Sequence, residues 1–470
     1  MTKKDRGKFI MKHMTRVVAV LLVCAMVLLC GCHDSSLDTN IVQVDYDVNE
    51  AIAPYADKLL PLTEEDKAYH IQMGYNDCDH MVTAIIGEKT GLYEALGMTV
   101  TVTKTSKTKD GLVSGEMDVG YAGLNGVLKA ASQGAPVVIP AGSHLGGSKY
   151  LVVRPDIDTT EEMLGLRFAV TENDQVSPQW RGHCVHLGIP FIVDYYEYAQ
   201  MSQPDAMVAL KADVIDAFIC CDPYASIAEH EGFGKIVSTE WNAPFVSEDR
   251  ESGWGIHCGY YINTDFAEAH PALAQRLVLA HCLAIQYMYL HPYNAGMMFA
   301  DGFGVDPAVG LRTIYIKLCA EGRTIAYKMD QSNIDNFKAY YDYHCIAPED
   351  RPEVEFFEEF LDLSIYNSLG MQPFDDFIKE NIDAKYKLGT TYPEFLEIAE
   401  TIDGIDHSST VGKDVEKWMN SNEIEEILDQ DSRIVEYDYS TGYINMTWNV
   451  DPATLGVEDL MDDYKANGGR

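Results

Sequence analysis

From Ala68 onward short apolar runs alternate with stretches whose apolar positions recur at three-and-four spacing, the pattern of strands alternating with helices. The clearest unit spans 71–102. Ile71, Met73 and Tyr75 read as the end of a strand, and Asn76, Asp77, Cys78, Asp79 and His80 as a polar loop. Met81, Ala84, Ile85 and Glu88 fall on a helix that Gly91 ends, and 98–102 alternates as a second strand. The theme repeats as a short helix over 109–115, a strand through Met117, Val119 and Tyr121, a turn at 123–126, a helix over 127–133 and a strand over 136–141. A Gly-rich polar loop at 143–148 follows, and its glycines permit close backbone approach to a ligand.

The strand at 149–154 reads as a crossing into a second lobe. That lobe runs through a strand at 167–171, a helix opened by Ser177 and Pro178 and closing at Leu187, and a strand at 193–198. It continues with a helix at 204–211, a strand at 215–220 and a helix over 223–231. Trp254 leads toward a strand at 260–263, read as the return crossing, and long helices follow at 271–290 (amphipathic) and 307–321. Two crossings imply two α/β lobes with a hinge and a cleft between them. Beyond 326 the stretches 333–343, 354–368 and 392–401 look helical, and 434–448 looks like a hairpin, so a mainly helical C-terminal extension is expected. Open α/β units bind ligands beyond the carboxyl ends of their strands, where helix N-termini offer unsatisfied N–H groups. The polar loop residues there are therefore the ones to watch.

The N-terminus changes the picture. Residues 1–16 hold six basic residues against Asp5, and an apolar run over 17–29 follows that is too short for a membrane span of roughly 20 residues. This is the layout of an export signal. Removing 1–31 takes six of the 35 basic residues and one of the 73 acidic ones, moving the formal charge from −38 to −43. So acidic a chain is a poor partner for nucleic acid or anionic lipid.

Against this pattern, the run His80-x-x-x-Ala84-Ile85-Ile86-Gly87-Glu88-Lys89-x-Gly91-Leu92-Tyr93, with Gly97, Met98 and Val100 beyond it, resembles the first motif of the nitrate/sulfonate/taurine type of ABC-transporter substrate-binding protein. That family includes bicarbonate-, amine- and thiamine-precursor-binding members. Ile215, Asp216 and Ala217 resemble its "VDA" signature, and 164–166 its "DLKGK" element without the Asp and Lys. The resemblance covers roughly 70–325. It implies a type II periplasmic-binding-protein fold, with lobe 1 from 68–153 and 256–325, lobe 2 from 154–255, and an extension at 326–470. It implies a solute-binding role without catalysis or cofactor, with a small-molecule solute, an ABC permease and its ATPase as partners. The stretch 115–122 resembles the one feeding the family's second binding loop, so Leu124 and Asn125 would face the ligand. Leu29-Cys30-Gly31-Cys32 resembles the bacterial lipoprotein box, which would make 1–31 a signal peptide, Cys32 a lipidated first residue, 32–67 a tether, and the location the extracytoplasmic face of a membrane.

No nucleophile elbow, phosphate loop or zincin motif is present. The expected ligand set is Asn76, Asp77, Cys78, His80, Leu124, Asn125, Ser143, His144, Asp222, Tyr224, Trp254 and His257. Asp77 and Asp79 serve equally as helix N-caps. Trp180 is either a cleft wall or core, and Lys149 and Arg181 are the cations near the loops. Nine of the 11 cysteines survive signal removal, and Cys78, Cys221 and Cys258 fall in carboxyl-end loops with His80, His144 and His257. Such thiols serve as small apolar packing, disulfides or soft metal donors. The last underlies the alternative reading, a metal- or cofactor-binding sensor or scavenger lipoprotein.

Overall fold

The computed structural model describes residues 41–406, apart from 240–255, 344–351 and shorter stretches at 147–148, 159–160, 164, 171–173, 175–176, 188, 190–192, 194–195, 321–322 and 389, together with the backbone of Ile434–Asp438 and Tyr443–Met446. The expected signal peptide, the lipidation site Cys32, Trp254 and most of 407–470 lie outside the described residues.

The strands are β1 (His70–Tyr75), β2 (Thr99–Lys104), β3 (Val119–Gly123), β4 (Val137–Val138), β5 (His144–Leu145), β6 (Tyr150–Val153), β7 (Arg167–Ala169), β8 (Glu197–Tyr198), β9 (Ala217–Cys220), β10 (Lys235–Thr239) and β11 (Ile256–Asn263). They form two mixed sheets. The first has the order β2-β1-β3-β11-β4, with β5 also pairing with β11; the second has the order β10-β6-β9-β7-β8. In the first, β1 runs parallel to β2 and β3, with Gly74 opposite Gly120 and Tyr75 opposite Tyr121, and β11 returns antiparallel. The strand expected as the crossing, β6, pairs wholly within the second sheet, antiparallel to β9 and β10. Both sheets thus aim the loops after β1, β3 and β9 from strand carboxyl ends.

Seven helices matter for the site: α1 (Thr83–Lys89), α2 (Leu124–Ser132), α3 (Pro178–Leu187), α4 (Tyr224–His230), α5 (Pro271–Leu290), α6 (Pro292–Phe303) and α7 (Pro307–Tyr315). The turn expected at 123–126 is absent. The chain passes from β3 straight into α2, because Leu124, Val127, Leu128 and Ala131 make a buried stripe at helical spacing. The expected amphipathic face of α5 is replaced by burial on nearly every side, since the helix lies between α1 and the later helix Ser364–Leu369. After α7 the backbone widens into a π-turn, Ile316–Ala320.

Residues 41–67 do not hang free. The Val42 amide and carbonyl both bond the Asn294 side chain (2.9 and 2.8 Å), and Lys58 Nζ donates to the Leu369 carbonyl at 2.7 Å. The extension is likewise fastened to the first sheet. Ile139 N donates to Phe360 O at 3.1 Å, and Gly142 N to Tyr327 O at 3.2 Å. At Gly142 a Cβ would sit 1.8 Å from the Lys328 carbonyl oxygen, so only glycine allows the two backbones to lie this close.

Candidate functional site

The loop after β1 is wound inward. Cys78 N donates to Asn76 O at 2.9 Å, Met81 N to Cys78 O at 3.1 Å, and Asp79 N reaches across to the Asp222 carbonyl of the other sheet's β9 turn at 3.0 Å. This tight turn, Asp79–Met81, buries Asp79 and His80 completely ahead of α1, which has no side-chain cap. Neither acid is an N-cap. Asp79 Oδ1 lies 2.9 Å from His80 Nδ1, and its Oδ2 lies 2.8 Å from Lys317 Nζ, delivered by the π-turn. Asp77 instead accepts a 2.7 Å bond from the Tyr224 hydroxyl, a second link between the two sheets' loops.

Burial alone would neutralise these charges; contact with opposite charges prevents it. Lys317 and His80 hold Asp79 well below the usual carboxylate range despite its burial. Burial would lower His80, but Cys258 and Asp79 raise it to about 9. Burial would raise Cys258, but His80 and His257 draw it down to about 7. His144 stacks on His80 with ring centroids 4.4 Å apart, and burial together with the His80 charge keeps it neutral, well below the ordinary range. On the opposite side a hydrogen bond from Cys78 and the nearby Lys149 depress the Cys221 thiol, while burial and the same contact push Cys78 up. Burial works against the Lys149 ammonium, yet Cys221 and Cys78 hold it protonated.

Of these groups Cys78, Lys149, Cys221, His257 and Cys258 border a cavity of about 480 Å³ between the two sheets' loops. From the first sheet come Asn76, Asp77, Cys78, Met81, Leu124, Asn125, His257 and Cys258; from the second side come Lys149, Gln179, Trp180, Met201, Gln203 and Cys221. Gln203 is fixed in place by accepting the Cys221 amide at 2.7 Å. Among the described residues Lys149 is the one lysine or arginine on the wall.

Of the residues singled out in the sequence, Asn76, Asp77, Cys78, Leu124, Asn125 and His257 stand on this wall. His80, Ser143, His144 and Asp222 are buried behind it, and Tyr224 is the strut on Asp77. Asp222 anchors α4 by accepting Ser226 N at 2.9 Å and Ser226 Oγ at 2.8 Å. The sequence reading placed Cys221, Cys258, Lys149 and Trp180 near the cleft but left them out of the ligand set. It missed Lys317 and Phe337 altogether. Phe337 reaches the cavity from the extension helix Gln331–Tyr343, where the resemblance had ended. None of the seven described cysteines is in a disulfide.

Comparison with known proteins places this geometry. Over 170 residues the chain is 26% identical to the taurine-binding periplasmic protein of Escherichia coli (strain K12), matching 35% of this chain and 48% of that protein, so it spans about half that relative's length. Among solved structures, the ligand-binding component of an ABC-type import system from Staphylococcus aureus, solved with zinc bound, matches with a TM-score of 0.51 at 15% identity, covering 63% of this chain and 98% of that one. The periplasmic nitrate-binding protein NrtA from Synechocystis PCC 6803 matches with a TM-score of 0.48 at 13% identity over 64% of this chain and 88% of that one. The expected fold, a two-lobed periplasmic binding protein with a helical C-terminal region, is the fold found. The family model spans residues 64–299, half the chain, taking in both sheets and the loops that face the cavity: the chain belongs to the NMT1-like family.

Proposed function

We propose that this chain is the extracytoplasmic solute-binding component of an ABC importer, held to the membrane by a lipid on Cys32. It takes a small solute of the sulfonate, nitrate, bicarbonate, amine or thiamine-precursor class between its lobes and presents it to a permease and its ATPase. The observation that carries this reading is the cavity of about 480 Å³ walled by loops from both sheets. That size suits a small molecule, and a site shared between two sheets couples occupancy to their closure. Asn76, Asn125 and Gln203 supply neutral hydrogen bonds, Lys149 a cation, and Leu124 and Trp180 apolar wall. Membership of the NMT1-like family and the likeness to a taurine-binding protein support the solute class. The lobe boundaries near 154 and 256 and the separate extension beyond 326 belong to the same proposal. Binding and release need no bond-making, and the function is affinity plus a change of shape.

Thermal melting with taurine, other alkanesulfonates, nitrate, bicarbonate, amines and an aminopyrimidine tests it. A bound solute at a hundredfold excess over its Kd stabilises the folded chain by about 2.7 kcal/mol, and Gln203→Ala should weaken that shift. If no class of solute moves the melting temperature, the importer reading is wrong.

A further inference from the structure

We propose that the first-sheet end of the cavity is a zinc-class transition-metal site built from His80, His257 and Cys258, with one coordination position open toward the cavity. This goes beyond the importer reading and does not depend on it. The ligating atoms of the three residues lie within 4.8 Å of one another. Tetrahedral zinc with nitrogen and sulfur ligands sets donors roughly 3.5 Å apart, so a small inward movement of side chains closes the site. One thiolate and two imidazoles are the donors that zinc, cobalt and nickel prefer over the hard cations.

Two features of the fold bring these donors together. Consecutive residues of a strand normally point to opposite faces, yet Cys258 Sγ and His257 Nδ1 lie 3.5 Å apart. The pairing of β11 with β5 shifts register between Ile256 and Cys258, and an irregularity of this kind is how a strand re-aims a side chain beside a site. The second feature is the support behind His80. Asp79 sits 2.9 Å from its Nδ1 and is itself held at 2.8 Å by Lys317. A carboxylate on one ring nitrogen leaves Nε2 as the ligating atom and fixes the ring, the arrangement that orients metal-binding histidines. His144, stacked on the same ring, restrains it further. Three protein donors leave a fourth position, as open metal sites do. It faces the solute space because His257 and Cys258 are on the cavity wall.

The test uses the full chain, purified under reducing conditions, stripped with a chelator and titrated with Co²⁺ alone. One equivalent should bind, giving the visible bands of tetrahedral cobalt and a thiolate-to-cobalt charge-transfer band. Cys258→Ser should abolish the charge-transfer band and weaken binding by at least tenfold, and His257→Ala should weaken it by a similar factor. Cys282→Ser, a buried thiol of α5 outside the cluster, should leave the spectrum unchanged. Circular dichroism checks folding, and if the Cys258 variant unfolds, the half-buried His257 variant decides. Substoichiometric cobalt in the folded wild type, an octahedral spectrum, or an unchanged band in a folded Cys258 or His257 variant overturns the proposal. A solute shift without cobalt binding would sink this inference and leave the importer reading standing; cobalt binding with no solute shift would do the reverse.

Discussion

The loop after β1 and the turn after β9 each bury an aspartate completely, and the two are tied by the 3.0 Å bond from Asp79 N to the Asp222 carbonyl. Their charges behave in opposite ways. Asp79 touches a lysine and a histidine and is held ionised well below the usual range. Asp222 accepts hydrogen bonds from Ser226 N and Oγ, Thr313 Oγ1 at 3.3 Å and the Tyr150 hydroxyl at 3.4 Å, all neutral donors. Burial and the negative charge of Asp79 push it up to about 6, with Arg312 offsetting part of the rise. Arg312 itself bonds Ser226 Oγ at 2.7 Å and Glu229 at 2.8 Å. Equal burial therefore decides nothing by itself; a cation in direct contact does.

The harshest way to test this is Lys317→Met. It leaves the buried Asp79 carboxylate with His80 and the Cys78 thiol but without its lysine, and removing one partner of a buried ion pair typically costs about 3–5 kcal/mol. Urea unfolding near neutral pH should show a loss of that size, and adding Asp79→Asn should recover much of it. A loss below about 1 kcal/mol would mean that Lys317 is not what keeps Asp79 charged.

Asp222 gives the second test, through pH. Its folded value of about 6 exceeds the ordinary 3.8, so between those values the folded chain holds a proton that the unfolded chain releases. The contribution is complete below pH 3.8 and is lost as pH rises through 6. Over that window it amounts to something on the order of 3 kcal/mol. Asp222→Asn cannot titrate, so its stability relative to wild type should climb from pH 4 to 6 and then level off in urea midpoints taken across the range. Parallel pH profiles for the two proteins would return Asp222 to the ranks of ordinary carboxylates and erase the contrast with Asp79.

Much of the fold behind this contrast could be read from the chain, because its signals are local. The alternation ending at Tyr75, the Ser177 and Pro178 start of α3 and the long apolar α5 opened by Pro271 all fall where the pattern puts them. β10 and α6 were not anticipated. α6 is buried around its whole circumference and carries two glycines, so it shows no apolar stripe against a polar face. At the site, position beyond a strand end pointed to Asn76, Asp77 and Cys78, and the family resemblance to Asn125, all four of which line the cavity. It was not enough to separate wall from support, and His80, Ser143, His144 and Asp222 stand behind the wall. Lys317 was invisible for a different reason. A lysine near the end of a helix reads as solvated, and only the π-turn rotates it inward onto Asp79. Contacts of this kind are decided by tertiary packing.

The gentlest test leaves both buried acids in place and loosens the strut beside them. Tyr224 comes from the β9 turn and donates to Asp77 of the β1 loop at 2.7 Å. Tyr224→Phe keeps the ring and removes one bond. Asp77 is partly exposed and retains Lys104 at 3.6 Å, so its carboxylate is neither stranded nor dry. The stability cost should be about 1 kcal/mol, that of a single hydrogen bond. If the two loops are locked chiefly by the Asp79 amide and its charged partners, solute affinity should fall only a few-fold, measured by calorimetry with whichever solute raises the melting temperature. A collapse of binding in this variant would shift the weight to the Tyr224 strut, making the buried charges a consequence of closure and the hydroxyl its cause.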